Sequence, residues 1–190
     1  ALDRAEKFLL DEKSMNAGKN EECYAHAYRL LYFARKKDVK TMNAIVEKLA
    51  GIQDGGGRWA HEYPNPFATA AAVHGLFVAK KAGADVSDAV FRRAAEGMMK
   101  TRNGFRQAYS DGKASSEKNS MARSAMCELA LLECGKSTAE SVAAAVDSYW
   151  KHLDRLEAIR LCDFHADGEL GAFMFFHGVF HTCEAAMALD

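Results

Sequence analysis

Apolar residues recur every three to four positions along almost the whole chain, which is the spacing of one face of a helix. The first such segment spans about residues 1–13, and the second spans about residues 21–36. Their apolar positions are Leu2, Ala5, Phe8 and Leu9, followed by Tyr24, Ala27, Leu31 and Ala34. No segment alternates apolar and polar residues over a β-branched run. The pattern therefore predicts an all-α chain without a substantial sheet.

Capping residues and glycines divide the next part of the chain into helices. Asp38 is placed to cap a third helix, which is predicted to end near Gln53 because three glycines follow. Asn65-Pro66 combines an N-cap with a proline at the first helical position and opens a fourth helix. Gly83 is predicted to end this helix. Ser87 is predicted to open a fifth, which runs to about residue 101.

The second half of the chain begins with a polar stretch, 102–118, which predicts a loop. A sixth helix follows and is predicted to end at Cys134-Gly135. Ser137 and Glu140 have the spacing of a capping box, which predicts the start of a seventh helix that runs to about residue 161. An eighth helix is predicted over about residues 171–189.

A loop-to-helix motif occurs three times, and internal repeats indicate a fold built from copies of one unit. Each copy joins a glycine-containing turn to a helix with small residues: 53–59 with 68–76, 102–105 with 122–129, and 167–170 with 181–187. The single domain 1–190 then contains four helical hairpins, approximately 1–36, 38–82, 87–134 and 137–189. Small residues align at Ala27, Ala72, Ala125 and Cys183. Because small side chains allow close packing, these helices are predicted to form the inner wall of an α/α toroid, or of an open arc of one.

The clearest copy of the motif resembles the repeat of the prenyltransferase/squalene-cyclase superfamily, in which a Gln, a Gly-rich turn and an aromatic residue precede a Thr/Ala-rich helix. The matching residues are Gln53, Gly56, Gly57, Trp59 and the helix 69–76. The segments 24–27 and 175–178 add a narrower similarity to uncharacterised bacterial proteins built from such repeats. The resemblance implies a helical ring but no established activity. Closed rings of the superfamily contain more than four hairpins, and an open arc would leave an apolar end exposed. We therefore expect the chain to be part of a larger protein, to pair with itself, or to close as a smaller ring.

The composition excludes several kinds of partner. With 25 basic and 26 acidic residues the net charge is −1, so we expect no nucleic-acid surface. No apolar stretch reaches the roughly 18 residues that a membrane-spanning helix requires. The five cysteines are odd in number and irregular in spacing, which argues against a disulfide framework and favours the cytoplasm. The chain begins at Ala1 rather than at Met, so a removed secretion signal is also compatible with it.

The superfamily resemblance implies two kinds of enzyme chemistry, and each has its own motif. Triterpene cyclases use an Asp-x-Asp-Asp motif as a proton donor, and the sequence contains none. Protein prenyltransferases hold zinc with Asp, Cys and His, and the segment 180–183 resembles the one that carries their His ligand, at His181. Their Asp-x-Cys motif is missing, since Cys162-Asp163 reverses the order and lacks the spacer.

Spacing alone gives a separate metal hypothesis. His177, His181 and Glu184 lie at i, i+4 and i+7, so they share one face of the last predicted helix. Imidazole and carboxylate groups bind Zn²⁺, and Cys162 shortly before this helix is a candidate further ligand. Alternatively, these histidines line a polar pore or bond to neighbouring backbone.

Taken together, the sequence predicts a binding domain whose concave inner wall takes a protein partner or an apolar small molecule. The apolar ligand is an analogy with relatives that bind isoprenoids in an aromatic-lined cavity. The residues predicted to face the cavity are Tyr28, His74, Arg123, His177 and His181. The alternative is a metal-dependent enzyme related to protein prenyltransferases, with a zinc site formed by His177, His181, Glu184 and Cys162. At the glycine turn, Gly57 is predicted to adopt a positive φ.

Overall fold

The computed structural model describes residues 2–11, 18–114, 116–161 and 170–190. In these ranges the chain is mostly helical, which confirms the all-α prediction. The elements are α1 (Leu2–Leu10), α2 (Gly18–Lys36), α3 (Val39–Gly51), β1 (Trp59–His61), β2 (Tyr63–Asn65), α4 (Pro66–Lys81), α5 (Asp88–Met99), β3 (Arg102–Asn103), β4 (Arg106–Gln107), α6 (Glu117–Glu133), α7 (Ala139–Lys151), α8 (Leu153–Ile159) and α9 (Met174–Met187).

Side-chain caps begin several helices where the sequence predicts them. Asp38 accepts a hydrogen bond from the Thr41 amide at 3.1 Å, and Asn65 accepts one from the Ala68 amide at 2.8 Å. Pro66 follows Asn65 as the first residue of α4, since its fixed φ suits this position and its missing N–H is not needed there. Ser87 is the N-cap of α5, and its hydroxyl accepts a hydrogen bond from the Ala89 amide.

The predicted capping box at Ser137 is wrong. Thr138 is the N-cap of α7, and its hydroxyl accepts from the Ser141 amide at 3.3 Å. The Ser137 hydroxyl instead donates to the buried carboxylate of Glu128. A charged acceptor forms a stronger hydrogen bond than a backbone group, which explains why Ser137 turns away from the helix end.

Two further differences concern the predicted loops and the seventh helix. The predicted seventh helix is interrupted at His152, which separates α7 from α8. The loop between the Gly57 turn and α4 contains the antiparallel pair β1–β2, and the polar stretch before α6 contains the pair β3–β4. The pairs are only three and two residues long per strand, so the prediction of no substantial sheet is confirmed for the described residues.

Four helices pack side by side in chain order: α4 lies between α2 and α6, and α9 packs on the other side of α6. Almost every residue of α4 from Pro66 to Leu76, and of α6 from Ser120 to Leu131, is buried. A helix buried on all sides needs small residues where its neighbours approach. At Gly75 a Cβ atom would lie 2.8 Å from the Ala27 carbonyl oxygen, which is why α2 and α4 can pack so closely.

The remaining long helices lie outside these four. Helix α3 packs on α2, α5 packs on α4 and α6, and α7 packs on α6 and α9. Their apolar faces complete the cores, as Ile45 and Leu49 do on α3, and Val142 and Tyr149 do on α7. Within the described ranges, no helix is both long enough and apolar enough to cross a membrane.

The glycine turn after α3 has the conformation that the sequence predicts. Gly57 has φ +85°, and a Cβ atom there would lie 2.0 Å from the Arg93 carbonyl oxygen. The Gln53 amide donates to the carbonyl oxygens of Gly57 and Val90 at 3.0 and 3.1 Å. Trp59 is fully buried, and its indole N–H donates to the Leu49 carbonyl at 2.7 Å. The turn of the clearest repeat therefore ties α3, α5 and the following loop together.

Candidate functional site

Two histidines of α9 lie against α2 and connect the first and the last of the four packed helices. His177 and His181 are one turn apart, with ring centroids 4.5 Å from each other. The Tyr28 hydroxyl of α2 forms a hydrogen bond of 3.1 Å with His181 Nε2. The Tyr24 ring contacts His177 edge-on at 5.9 Å. Side chains from opposite ends of the sequence thus meet in one aromatic and imidazole cluster.

A third histidine, His74 of α4, lies between two carboxylates. Its Nδ1 forms a hydrogen bond of 2.7 Å with Glu133 Oε1 at the end of α6. Its Nε2 lies 3.4 Å from Glu184 Oε2 of α9. The Glu133 side chain is only 6% exposed, so this carboxylate is held in an environment of low polarity. His74 therefore links α4, α6 and α9 through charged groups.

The two carboxylates set the protonation of His74. Burial by itself lowers the pKa of an imidazole, but the hydrogen bond to Glu133 and the negative charges of Glu133 and Glu184 outweigh it and raise the pKa of His74. The two carboxylates thus stabilise the imidazolium form of His74.

The pKa values of the two α9 histidines, His177 and His181, are lowered instead. Burial, together with the charge of His61, lowers the pKa of His177 to about 4. Burial and the nearby His177 and His74 lower the pKa of His181 well below its usual value. Burial also raises the pKa of Tyr28 to about 12. At neutral pH this part of the cluster is uncharged and acts through hydrogen bonds and ring contacts.

A groove of about 300 Å³ opens next to this cluster, between the C-terminal halves of α2, α4 and α9. Its lining residues are Tyr28, Leu31, Tyr32, Arg35, Val78, Phe180 and Glu184. Tyr28 and Phe180 remain 37% and 43% exposed, which is high for large apolar side chains in a packed domain. Their rings meet edge to face with centroids 6.1 Å apart. The groove therefore has aromatic walls and two charged side chains.

Four of the five predicted cavity residues, Tyr28, His74, His177 and His181, lie in or directly beside this cluster. Arg123 does not. Its side chain is buried, with Nε donating to the Gln107 carbonyl and Nη1 donating to the Asn119 carbonyl, both at 2.9 Å. Its guanidinium also lies over the Tyr109 ring, 5.5 Å from the centroid. Arg123 therefore holds the loop before α6, and the prediction that it faces a central cavity is corrected.

The predicted metal ligands are only partly brought together. His177 and His181 are adjacent, but His181 Nε2 is bonded to Tyr28 and Glu184 is directed at His74. Cys162 lies outside the described residues. Among the residues that the structure describes, no three His, Cys, Asp or Glu side chains are arranged to hold a metal ion. The donor set seen here does not fit zinc, and the zinc hypothesis stays a prediction that depends on Cys162.

Sequence reasoning missed Glu133 and Phe180. Glu133 is 59 positions from His74, and nothing local to α6 distinguishes it from a solvated acid at a helix end. Phe180 precedes His181 in the segment 180–183, and the sequence alone gives it no role of its own. The sequence does show that Phe180, like Tyr28, is an aromatic residue on a helix rich in small residues. In the structure both side chains line the same groove.

Known proteins offer no guide to this site. No family model, no curated protein and no solved structure matches the chain. The superfamily resemblance therefore rests on the motif residues alone.

Proposed function

We propose that this chain is a binding domain of helical hairpins, arranged as a short arc of an α/α toroid, that takes an apolar ligand in the α2–α4–α9 groove. The arrangement is supported by the side-by-side packing of α2, α4, α6 and α9, with α3, α5 and α7 outside them. The Tyr28–His181 hydrogen bond draws the two ends of the arc together. The superfamily resemblance supports the same arrangement by analogy.

The observation that carries the binding function is the aromatic groove itself. Its volume of about 300 Å³ is at the lower end of the usual range of small-molecule pockets, about 300–1,000 Å³. Tyr28, Tyr32 and Phe180 supply ring surface, and Leu31 and Val78 supply aliphatic surface. An apolar ligand that covers these side chains gains their burial from water, at about 25 cal/mol per Å².

The charged side chains of the groove select the polar end of the ligand. Arg35 is exposed, and it forms no ion pair with any residue in the described part of the chain. Glu184 already faces His74, so its negative charge is partly compensated. The free positive charge favours a ligand with an anionic head, such as a long-chain carboxylate or an isoprenoid phosphate. Arg pairs with both groups through two parallel hydrogen bonds.

The histidine cluster beneath the groove serves to position its walls. His181 fixes Tyr28 through the 3.1 Å hydrogen bond, and His177 packs against Tyr24, so α9 is held at a defined distance from α2. Burial also raises the pKa values of the Cys23 and Cys127 thiols, so neither is a thiolate nucleophile. Binding without a reaction is the function that these groups support.

The test is a fluorescence titration with 1-anilinonaphthalene-8-sulfonate, an amphipathic anion, followed by displacement with oleate or with farnesyl phosphate. We expect Phe180→Ser to weaken binding about tenfold, because a large part of the apolar wall is lost. Phe176→Ser is the matched control, since Phe176 lies four residues earlier on α9, is 71% exposed and does not line the groove. Arg35→Gln should weaken the anionic ligands and leave an uncharged analogue unaffected.

Equal affinity of the wild type and the folded Phe180→Ser variant would contradict the proposal, with folding checked by circular dichroism. Displacement by oleate but not by farnesyl phosphate would identify a carboxylate ligand, and the reverse would identify a phosphate.

A further inference from the structure

A second cavity lies on another side of the inner helices, between the C-terminal end of α4, the N-terminal half of α5 and the end of α6. Its volume is about 400 Å³. The lining residues are Phe77, Lys80, Lys81, Asp88, Phe91, Arg92, Glu133 and Cys134. It shares no lining residue with the groove of Tyr28 and Phe180, so the two cavities are separate places on the molecule.

One lining residue of this cavity, Glu133, has a carboxylate oxygen without a hydrogen-bond partner among the described residues. The Glu133 side chain is only 6% exposed, and its Oε1 forms a hydrogen bond with His74 Nδ1. Its Oε2 is buried and accepts no hydrogen bond from the residues that the structure describes. Leaving a buried carboxylate oxygen unsatisfied is unfavourable. The oxygen has less than 1 Å² of exposed surface, so a ligand's hydrogen-bond donor satisfies it when the wall opens at Glu133.

The rest of the lining carries an excess of positive charge. Lys80 is paired with Asp88, which neutralises both. Lys81 and Arg92 line the same cavity, and neither has a carboxylate within ion-pair distance among the described residues. Arg92 is close enough to Asp88 to help lower the pKa of that carboxyl, but Lys80, Lys81 and Arg92 together outnumber Asp88. The remaining positive charge favours an anionic group on the ligand.

The walls between these polar groups are aromatic. Phe77 and Phe91 contribute their rings, each with a lysine ammonium nearby: Lys81 lies 5.4 Å from the Phe77 centroid, and Lys80 lies 5.5 Å from the Phe91 centroid. Flat aromatic ligands pack well against such rings. The Cys134 thiol adds no reactive group, because burial raises its pKa to about 12.

We propose that this cavity binds a small aromatic acid that carries a hydrogen-bond donor opposite its acidic group, with a phenol as the simplest donor. The phenol hydroxyl donates to Glu133 Oε2, the ring lies against Phe77 and Phe91, and the carboxylate pairs with Lys81 and Arg92. This inference does not depend on the proposed function of the groove, since the two sites have no residue in common.

The test uses three probes that differ by one group each: 4-hydroxyphenylacetate, phenylacetate, which lacks the donor, and 4-hydroxyphenylacetamide, which lacks the charge. Affinities are measured by chemical-shift titration of the ¹⁵N-labelled protein. We expect 4-hydroxyphenylacetate to bind about tenfold more tightly than either of the others, which is the usual effect of one charge-assisted hydrogen bond. The shifted amides should lie in the C-terminal turn of α4 and the first two turns of α5.

Variants assign the contacts. Lys81→Gln combined with Arg92→Gln should remove the preference for the acid over the amide, whereas the exposed Lys100→Gln should not. Glu133→Gln should reduce the preference for the phenol, but it also removes the partner of His74, so the probe series remains the decisive measurement. Equal affinities for the three probes, or no binding of any, would overturn the inference. Phe180→Ser separates this site from the groove, because it should leave 4-hydroxyphenylacetate binding unchanged.

Discussion

At the scale of single residues, the clearest feature is a group of histidines whose pKa values are shifted in opposite directions. His74 lies between Glu133 and Glu184, which raise its pKa against the effect of burial. His177 has a buried Nε2 without a partner in the described part of the chain, and burial lowers its pKa to about 4. Carboxylates thus favour the charged form of the imidazole at His74, whereas burial favours the neutral form at His177.

The depressed pKa of His177 predicts a loss of stability in acid. An unfolded histidine binds its proton at about pH 6.5, but the folded one does so only near pH 4. The free energy of unfolding therefore decreases as the pH falls from about 6.5 towards 4. His181 and His26 act in the same direction, because their pKa values are also lowered. His74 acts oppositely: its raised pKa stabilises the fold below about pH 6.5, and this contribution is lost as pH rises through its folded pKa.

His177→Phe isolates one of these contributions. We expect the stability difference between wild type and variant to shift by about 2 kcal/mol in favour of the variant between pH 7.5 and pH 5. Urea unfolding at several pH values measures it. Parallel stability curves for the two proteins would show that His177 is not held neutral.

Gly57 gives a second prediction at this scale. Its φ of +85° and the 2.0 Å approach of a Cβ atom to the Arg93 carbonyl oxygen leave no space for a side chain. Gly57→Ala should therefore cost at least about 2 kcal/mol of unfolding free energy. Gly55→Ala in the same turn is the control, since a Cβ atom there meets nothing within 4 Å and φ is not positive. Similar losses in both variants would mean that the turn is not constrained at Gly57.

At the scale of helices, the small-residue positions explain how the inner helices approach one another. Gly75 lets α4 approach the backbone of α2 at Ala27, and Gly178 does the same for α9 against α6 and α7, where a Cβ atom would lie 3.2 Å from the Ala122 carbonyl oxygen and 2.8 Å from the Tyr149 ring. The Ala27 and Ala122 carbonyl oxygens are backbone atoms, which cannot move aside as a flexible side chain can, and the Tyr149 ring is itself fully buried.

The prediction at this scale compares two helical glycines. Gly75→Ala should destabilise the protein by about 1–3 kcal/mol, because α2 and α4 must separate to admit the methyl group. Gly51→Ala, at the end of α3 with open space around it, should be neutral or stabilising by up to about 1 kcal/mol through helix propensity. Thermal unfolding of both variants measures the contrast. Equal effects would imply that α2 and α4 pack less closely than described.

At the scale of the whole molecule, local signals predicted the fold better than they predicted the site. Asp38, Asn65, Ser87 and Gly83 act on their own neighbours in sequence, so their roles can be inferred from residue type. The role of Thr138 as a cap could not be inferred in this way. The choice between Ser137 and Thr138 depends on Glu128, which lies on another helix and accepts a hydrogen bond from Ser137.

The same distinction applies to the candidate site. Tyr28, His74, His177 and His181 are predicted to face a cavity, and the structure places them in or beside one cluster. Glu133 is not predicted as a site residue, since its burial depends on the packing of α4 against α6. Arg123 was misplaced because its partners, the carbonyl groups of Gln107 and Asn119, are backbone atoms that no side-chain pattern reveals.

The position of His74 has a consequence for how the two cavities relate. One of its carboxylate partners, Glu133, lines the aromatic-acid cavity, and the other, Glu184, lines the groove. A donor that reaches Glu133 competes with His74 for the negative charge of that carboxylate, and the imidazolium then interacts more strongly with Glu184. Ligands of the two proposed sites would act on carboxylates that share one imidazole, so their binding would be thermodynamically coupled: each would change the affinity of the other by the same factor.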